Sequence, residues 1–207
     1  MMPSASDLER LRTFGSATVY EVAGGVTPLD PAIRALASTY RVAGPAFTVH
    51  CARGDNLALH RAVAEAAPGS VLVVDAGGDA AGYWGEILSV AALARGIAGL
   101  VIDGGVRDTV PIVQRGFPVW SRHVAIGRCL KVDPGELGGA VVAGGVTIAA
   151  GDIVVADADG IVVIPAPTVA GVVVAAEQRT TREAELFERL RAGELTIDLL
   201  GLRDRLP

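Results

Sequence analysis

Val71-Leu72-Val73-Val74-Asp75, leading into Gly77-Gly78-Asp79, and Leu100-Val101-Ile102-Asp103, leading into Gly104-Gly105, repeat one pattern. Each begins as a short apolar run rich in valine, leucine and isoleucine, as in a strand buried on both faces. Each continues through glycines, read as a loop or turn, into helical spacing at about 83–94 and 108–114 respectively. Pro118-Val119-Trp120 supplies a third strand. A β-loop-α-β-loop-α order predicts parallel strands joined by right-handed crossovers.

Working upstream, residues 42–51 are strand-like, and 55–67 have helical spacing that turns Leu57, Leu59, Ala62, Val63 and Ala66 inward. Residues 7–14 read as a short amphipathic helix, and another starts near Ser16 with Ser16 or Thr18 as its cap. Downstream the character changes. Apolar runs at 140–142, 146–148, 153–156 and 161–164 are punctuated by Gly144-Gly145, Gly151-Asp152 and Asp159-Gly160, a hairpin pattern, so a β-rich second half is expected to pack on the first. A long helix over 168–191 follows, apolar in its first half and carrying Glu177, Glu183, Glu185 and Glu188 in its second. No linker or repeat divides the chain, which predicts one compact α/β domain over 1–207.

Composition excludes several classes. The net charge is −5, and the 18 basic residues are scattered and include a single lysine, Lys131, which argues against a nucleic-acid partner. The longest uncharged run, 160–176, is broken by Pro165 and Pro167 and is short of the ~20 residues a membrane span needs. Residues 1–12 lack the apolar stretch of a secretion signal. Cys51 and Cys129 are too few for a disulfide framework or a thiolate metal site. A cytoplasmic protein without membrane or nucleic-acid partners is expected. The 51% hydrophobic content is high, which is consistent with a face buried between subunits.

Chemistry is expected at the carboxyl ends of the parallel strands, the usual ligand crevice of an α/β sheet. Arg107-Asp108 stands there: a planar cationic fork for a carboxylate beside a carboxylate able to hold a hard divalent cation. The competing assignment is a helix cap at Asp108 and a surface ion pair by Arg107. Glu86, reached through Gly85, lies near the start of the preceding helix, where the free N–H groups of Ile87 and Leu88 favour an anion. A first-turn glutamate that only complements the helix dipole is the alternative. His50, His60 and His123 form no pair at metal-ligand spacing, and His60 reads as a satisfied, partly buried side chain. No glycine loop matches a phosphate or dinucleotide fingerprint, and no nucleophile elbow is present.

The run Gly104-Gly105-Val106-Arg107-Asp108 resembles the signature of the family that contains 4-hydroxy-4-methyl-2-oxoglutarate aldolase and the regulator of ribonuclease E activity A, the RraA-like proteins. The aldolases carry an acidic residue, twenty intervening residues and then Arg-Asp; Glu86 and Arg107-Asp108 keep that spacing, with Glu where many members have Asp. Gly44-Pro45-Ala46-Phe47-Thr48, Asp55-Asn56, Pro68-Gly69, Gly85-Glu86, Gly144-Gly145-Val146, Gly151-Asp152-Ile153-Val154 and Asp157-Ala158-Asp159-Gly160 extend the likeness along nearly the whole chain. Pro111 departs from it, standing where many relatives have an acid.

The resemblance implies a compact α/β fold with a β-rich core of the swivelling β/β/α type, assembled as a homotrimer or hexamer, with 168–191 at the subunit interface. It implies a metal-dependent lyase that releases pyruvate from a 4-hydroxy-2-oxo-acid or decarboxylates oxaloacetate. Arg107 would bind the pyruvyl group and stabilise its enolate, and Asp108 would hold Mg²⁺ or Mn²⁺. Glu86 would act through a metal-bound water, Gly85, Ile87 and Leu88 would contact the substrate, and Glu183 of a neighbouring subunit (Glu185 failing that) would complete the outer shell. Lys131, the one lysine, is distant from the motif in sequence, which counts against a Schiff-base route. A non-catalytic regulator that binds a ribonuclease or helicase is the rival reading.

Overall fold

The structure, a computed structural model, describes residues 3–206; Met1, Met2 and Pro207, which belong to the expected domain, lie outside the described residues. In chain order the elements are α1 (Ala5–Ala23), β1 (Arg34–Ala35), β2 (Val42–His50), α2 (Leu57–Glu65), β3 (Val71–Trp84), α3 (Glu86–Ala94), β4 (Gly99–Val106), α4 (Thr109–Arg115) and β5 (Val119–Val124). There follow β6 (Glu136–Leu137), β7 (Val141–Ala143), β8 (Val146–Ile148), β9 (Ile153–Ala156), β10 (Ile161–Ile164), α5 (Val169–Arg191) and α6 (Thr196–Leu199). The α/β class holds, and so does the long helix towards the C-terminus.

One mixed sheet runs in the order β1-β5-β4-β3-β2-β9-β10, with β6 added to β2. Strands β2, β3, β4 and β5 are mutually parallel, as the repeated strand-helix pattern predicts. One face is covered by α2, α3 and α4 through Leu59, Leu88 and Ile112, with Phe117 from the loop after α4. The other packs Ile33, Tyr40, Trp120 and the β7–β8 hairpin. A third apolar cluster joins α1 and α5 to β9 and β10. Among the described residues no helix is long and apolar enough to cross a membrane.

Three expectations need correction. The glycines after Asp75 are not a loop: β3 continues to Trp84 through several register shifts against β4, and α3 begins only at Glu86. Gly104-Gly105 is likewise not a turn but part of β4. A Cβ at Gly105 would collide with the Ala81 carbonyl, so glycine there permits close strand approach rather than chain reversal. The β-rich half is a separate layer only at the two-stranded β7–β8 hairpin. β9 pairs antiparallel with β2 and so extends the same sheet, its residues Ile153, Val154, Val155 and Ala156 all buried.

The break between two N-terminal helices falls at Gly15, whose φ of 81° interrupts α1. The cap of the second half is neither Ser16 nor Thr18. Asp157, from the β9–β10 turn, accepts the Ser16 N–H at 2.8 Å and its hydroxyl at 2.6 Å. At Gly144-Gly145 the hairpin reading holds: φ values of 57° and 78° fit a two-residue turn that turns left-handed at both positions.

Candidate active site

The ends of β3 and β4 and the starts of α3 and α4 meet in one cleft. Trp84 closes β3, its indole N–H donating to the Ser89 hydroxyl at 2.7 Å and its ring stacked 5.6 Å from Phe117. Its carbonyl accepts the Arg107 N–H at 2.8 Å, which locks the end of β4 to the end of β3. Asp108 follows with φ 57°, the single non-glycine residue at positive φ among those described. Such a backbone is sparsely populated for aspartate and persists where the surroundings over-determine it.

The Asp108 carboxylate does not cap its own helix. It crosses to α3 instead, where Oδ2 accepts the Glu86 N–H at 3.1 Å. Arg107 Nε lies 3.8 Å from the same oxygen, and among the described residues the guanidinium makes no hydrogen bond. With side chains 44% and 42% exposed, both remain open to a ligand. The Ile87 and Leu88 N–H groups at the first turn of α3 have no partner among the described residues. The cleft, about 90 Å³, is lined by Gly85, Ile87, Leu88, Arg107 and Asp108 from this side. That is room for several waters or a small acid.

The opposite wall was not foreseen. Asn56, His60, Tyr83 and Lys131 line the same cleft, which opens past Arg107 into a second hollow of about 220 Å³ bounded by Arg128 and Cys129. Lys131 therefore faces Arg107 and Asp108, contrary to the inference from its distance along the chain. Asp55 explains the placement. Its carboxylate accepts the Leu57 N–H at 2.9 Å and the Val132 and Asp133 N–H groups at 2.8 and 3.1 Å, tying the loop that carries Lys131 to the turn before α2. Burial pushes the Asp55 carboxyl upward, but these amides and the Lys131 charge outweigh it and hold it below the usual range. The contacts to Val132 and Asp133 bridge 77 and 78 residues, so no local pattern announces them.

Two polar groups in this wall are chemically informative. Asn56 donates to the Tyr83 carbonyl at 2.7 Å, while its amide oxygen is buried without a partner. A buried unsatisfied acceptor costs stability unless a ligand or water reaches it. His60, set aside on sequence grounds, lines the cleft. Burial, and then the Lys131 charge, holds its imidazole below the ordinary range.

Neither Glu86 nor the late helix lines the cleft of its own chain. The Glu86 carboxylate is taken by Arg115 of α4, with Nε at 2.8 Å and Nη2 at 2.6 Å from Oε1. It does not line the cleft directly. Glu183 pairs with Arg179 at 2.9 Å, and α5 packs on α1, so Glu183 and Glu185 of this chain stand on an element away from its own cleft.

The donor set can be tested against a metal. No group of three or more His, Cys, Asp or Glu that would hold an ion exists among the described residues. Within one chain the described residues thus form no zinc-like cage of protein ligands. One open carboxylate and a polar cleft suit Mg²⁺ or Mn²⁺, which retain several waters.

Comparison with known proteins supplies the family. The model for RraA-like proteins, described as Aldolase/RraA, matches residues 16–163. The chain belongs to the RraA-like family. Among its relatives is a protein of Halalkalibacterium halodurans named "Putative 4-hydroxy-4-methyl-2-oxoglutarate aldolase", 38% identical over 76% of this chain and 76% of that one. A crystal structure of an uncharacterized protein from Pseudomonas syringae is similar with a TM-score of 0.85 at 28% identity, covering 94% of this chain and 92% of the other. RraAS2 of Streptomyces coelicolor, described as an unusual member of the RNase ES inhibitor RraA protein family, is similar with a TM-score of 0.79 at 31% identity, over 91% of this chain and 99% of that one. This RraA-like chain thus has relatives named as aldolases and relatives named as ribonuclease inhibitors.

Proposed function

We propose that this RraA-like protein is a divalent-metal-dependent lyase that releases pyruvate from a small 4-hydroxy-2-oxo-dicarboxylic acid and decarboxylates oxaloacetate through the same enolate. The observation that carries the reading is the Arg107 guanidinium, free of hydrogen bonds to the described residues, beside the Asp108 carboxylate in one cleft. A paired arginine or an apolar plug there would leave no room for an oxo-acid.

Asp108 would hold Mg²⁺ or Mn²⁺, which when bound supplies a Lewis acid at the substrate's oxo group. Arg107 and the Ile87 and Leu88 N–H groups take the adjoining carboxylate, a set of preorganised donors aimed at the anionic end. Glu86, acting through water, accepts the proton of the C4 hydroxyl. The C3–C4 bond then breaks, its electron pair forming the enolate at C2 while C4 becomes a carbonyl. Protonation at C3 yields pyruvate. In oxaloacetate the same bond releases carbon dioxide. Arg128 and Lys131 form the cationic wall that receives the distal carboxylate, which gives the cleft more positive than negative side chains in an acidic protein. Lys131 is exposed, not enclosed in the apolar pocket that activates a Schiff-base lysine. A homotrimer or hexamer would bring Glu183, or Glu185, of a second copy to the cleft. The setting proposed is cytoplasmic.

The test is pyruvate release from oxaloacetate and from 4-hydroxy-4-methyl-2-oxoglutarate, coupled to NADH oxidation, with and without EDTA. Activity is expected to need the metal and to fall at least ~10³-fold in Arg107→Ala and Asp108→Ala, the scale of removing a preorganised charge. Turnover that survives chelation removes the mechanism. The likeness to the RNase ES inhibitor family favours a second reading, so absence of turnover together with tight binding to a ribonuclease would establish the regulator instead.

A further inference from the structure

We propose that Arg115 is a positioning residue that keeps Glu86 away from Arg107, so that the Arg107 fork stays free for the substrate carboxylate; this rests on the oxo-acid reading above. Besides Asp108, whose Oδ2 lies 3.8 Å from Arg107 Nε, Glu86 is the anion that the backbone brings beside this pair. Its backbone N–H is bonded to Asp108 Oδ2 at 3.1 Å, and the residue before it, Gly85, lies so close that a Cβ there would stand 3.3 Å from Arg107 Cγ. A glutamate, one methylene longer than aspartate, has the reach to fold back onto a guanidinium at that range. It does not, because Arg115, at the last turn of α4, grips Oε1 with two nitrogens at 2.8 and 2.6 Å. Oε2 is left without a partner among the described residues. The same helix thus contributes at both ends, with Asp108 at its start bonded to the Glu86 backbone and Arg115 at its finish bonded to the Glu86 side chain. The pair is exposed, 48% and 35%, and pairs of that kind contribute little to stability. Its consequence is in the cleft rather than in the fold.

Oxalate, which has the planar shape and charge of the pyruvate enolate, is the probe, titrated calorimetrically with Mg²⁺ present. Arg115→Ala is expected to weaken oxalate binding about tenfold or more, the loss of a free fork for a carboxylate, with an unchanged melting temperature. Arg115→Lys should recover part of the loss. The deciding variant is the double Arg115→Ala/Glu86→Gln, in which the rival charge is gone: oxalate affinity should return to that of Glu86→Gln alone. A merely structural role for Arg115 would leave the double variant as weak as Arg115→Ala, and that result overturns the proposal. So does an Arg115→Ala protein that binds oxalate normally while wild type does the same, which leaves the oxo-acid reading intact. Wild-type protein that neither binds oxalate nor releases pyruvate removes both.

Discussion

Adding one methyl group at Gly85 probes whether the position of the Asp108 carboxylate matters to catalysis rather than to folding. Gly85 has extended backbone, φ −154°, so alanine is conformationally acceptable there. Its Cβ would lie 2.5 Å from Asp108 Oδ2, 3.4 Å from Asp108 Cγ and 3.3 Å from Arg107 Cγ. Ordinary contact requires about 3.5 Å, so the carboxylate must retreat by roughly 1 Å. It is the end of a side chain and can do so without moving the sheet. The cost to folding is the Glu86 N–H bond, an exposed hydrogen bond to a charged acceptor, worth about 1.5 kcal/mol at most in that setting. A 1 Å misplacement in a catalytic constellation costs about 10²-fold. Gly85→Ala should therefore lower kcat for pyruvate release about a hundredfold and weaken Mn²⁺ binding, while a thermal melt shifts by only a few degrees. A variant with full turnover and unaltered Mn²⁺ affinity would refute the assignment of Asp108. A collapse of the melting temperature would show that the Asp108 contact serves folding instead.

Other outcomes follow from the same geometry. Treatment with borohydride in the presence of pyruvate should leave no covalent adduct on Lys131 by mass spectrometry, although the side chain faces the cleft; an adduct would restore the Schiff-base route. Lys131→Ala should raise KM for a dicarboxylate substrate far more than kcat falls. His60 is held below its unfolded value of about 6.5, so the unfolded chain binds the extra proton first. Its contribution to stability is complete above that pH and is lost as pH falls through the lower folded value; pH-dependent melts should be flatter in His60→Gln. Asp157→Ala removes the acceptor for the Ser16 N–H and hydroxyl, and should destabilise the fold by ~1–3 kcal/mol without changing turnover of the folded protein. A change in kcat there would mean that α1 communicates with the cleft.

The amino-acid order alone determined the periodic features. Buried strands such as Leu100-Val101-Ile102 and the helices after them are written in runs of valine, leucine and isoleucine and in 3.6-residue spacing, because the hydrophobic effect acts on each segment before any partner is specified. Arg107-Asp108 was legible for the same reason: strand, glycine and charge pair lie within a few residues. Tertiary structure decided the rest. Gly77-Gly78 and Gly104-Gly105 look like turns by composition, yet all four are strand residues: a neighbouring strand fills the space where side chains would stand at Gly104-Gly105, and Gly77-Gly78 take positive φ at an irregularity in the β3–β4 register. Lys131 and Asn56 are 75 positions apart in the chain and share a cleft only because Asp55 collects the Val132 and Asp133 amides. Asp108 could have capped its own helix; with φ at 57° its carboxylate reaches α3 instead. Such contacts obey directed hydrogen bonds between distant segments, and a one-dimensional pattern carries no record of them.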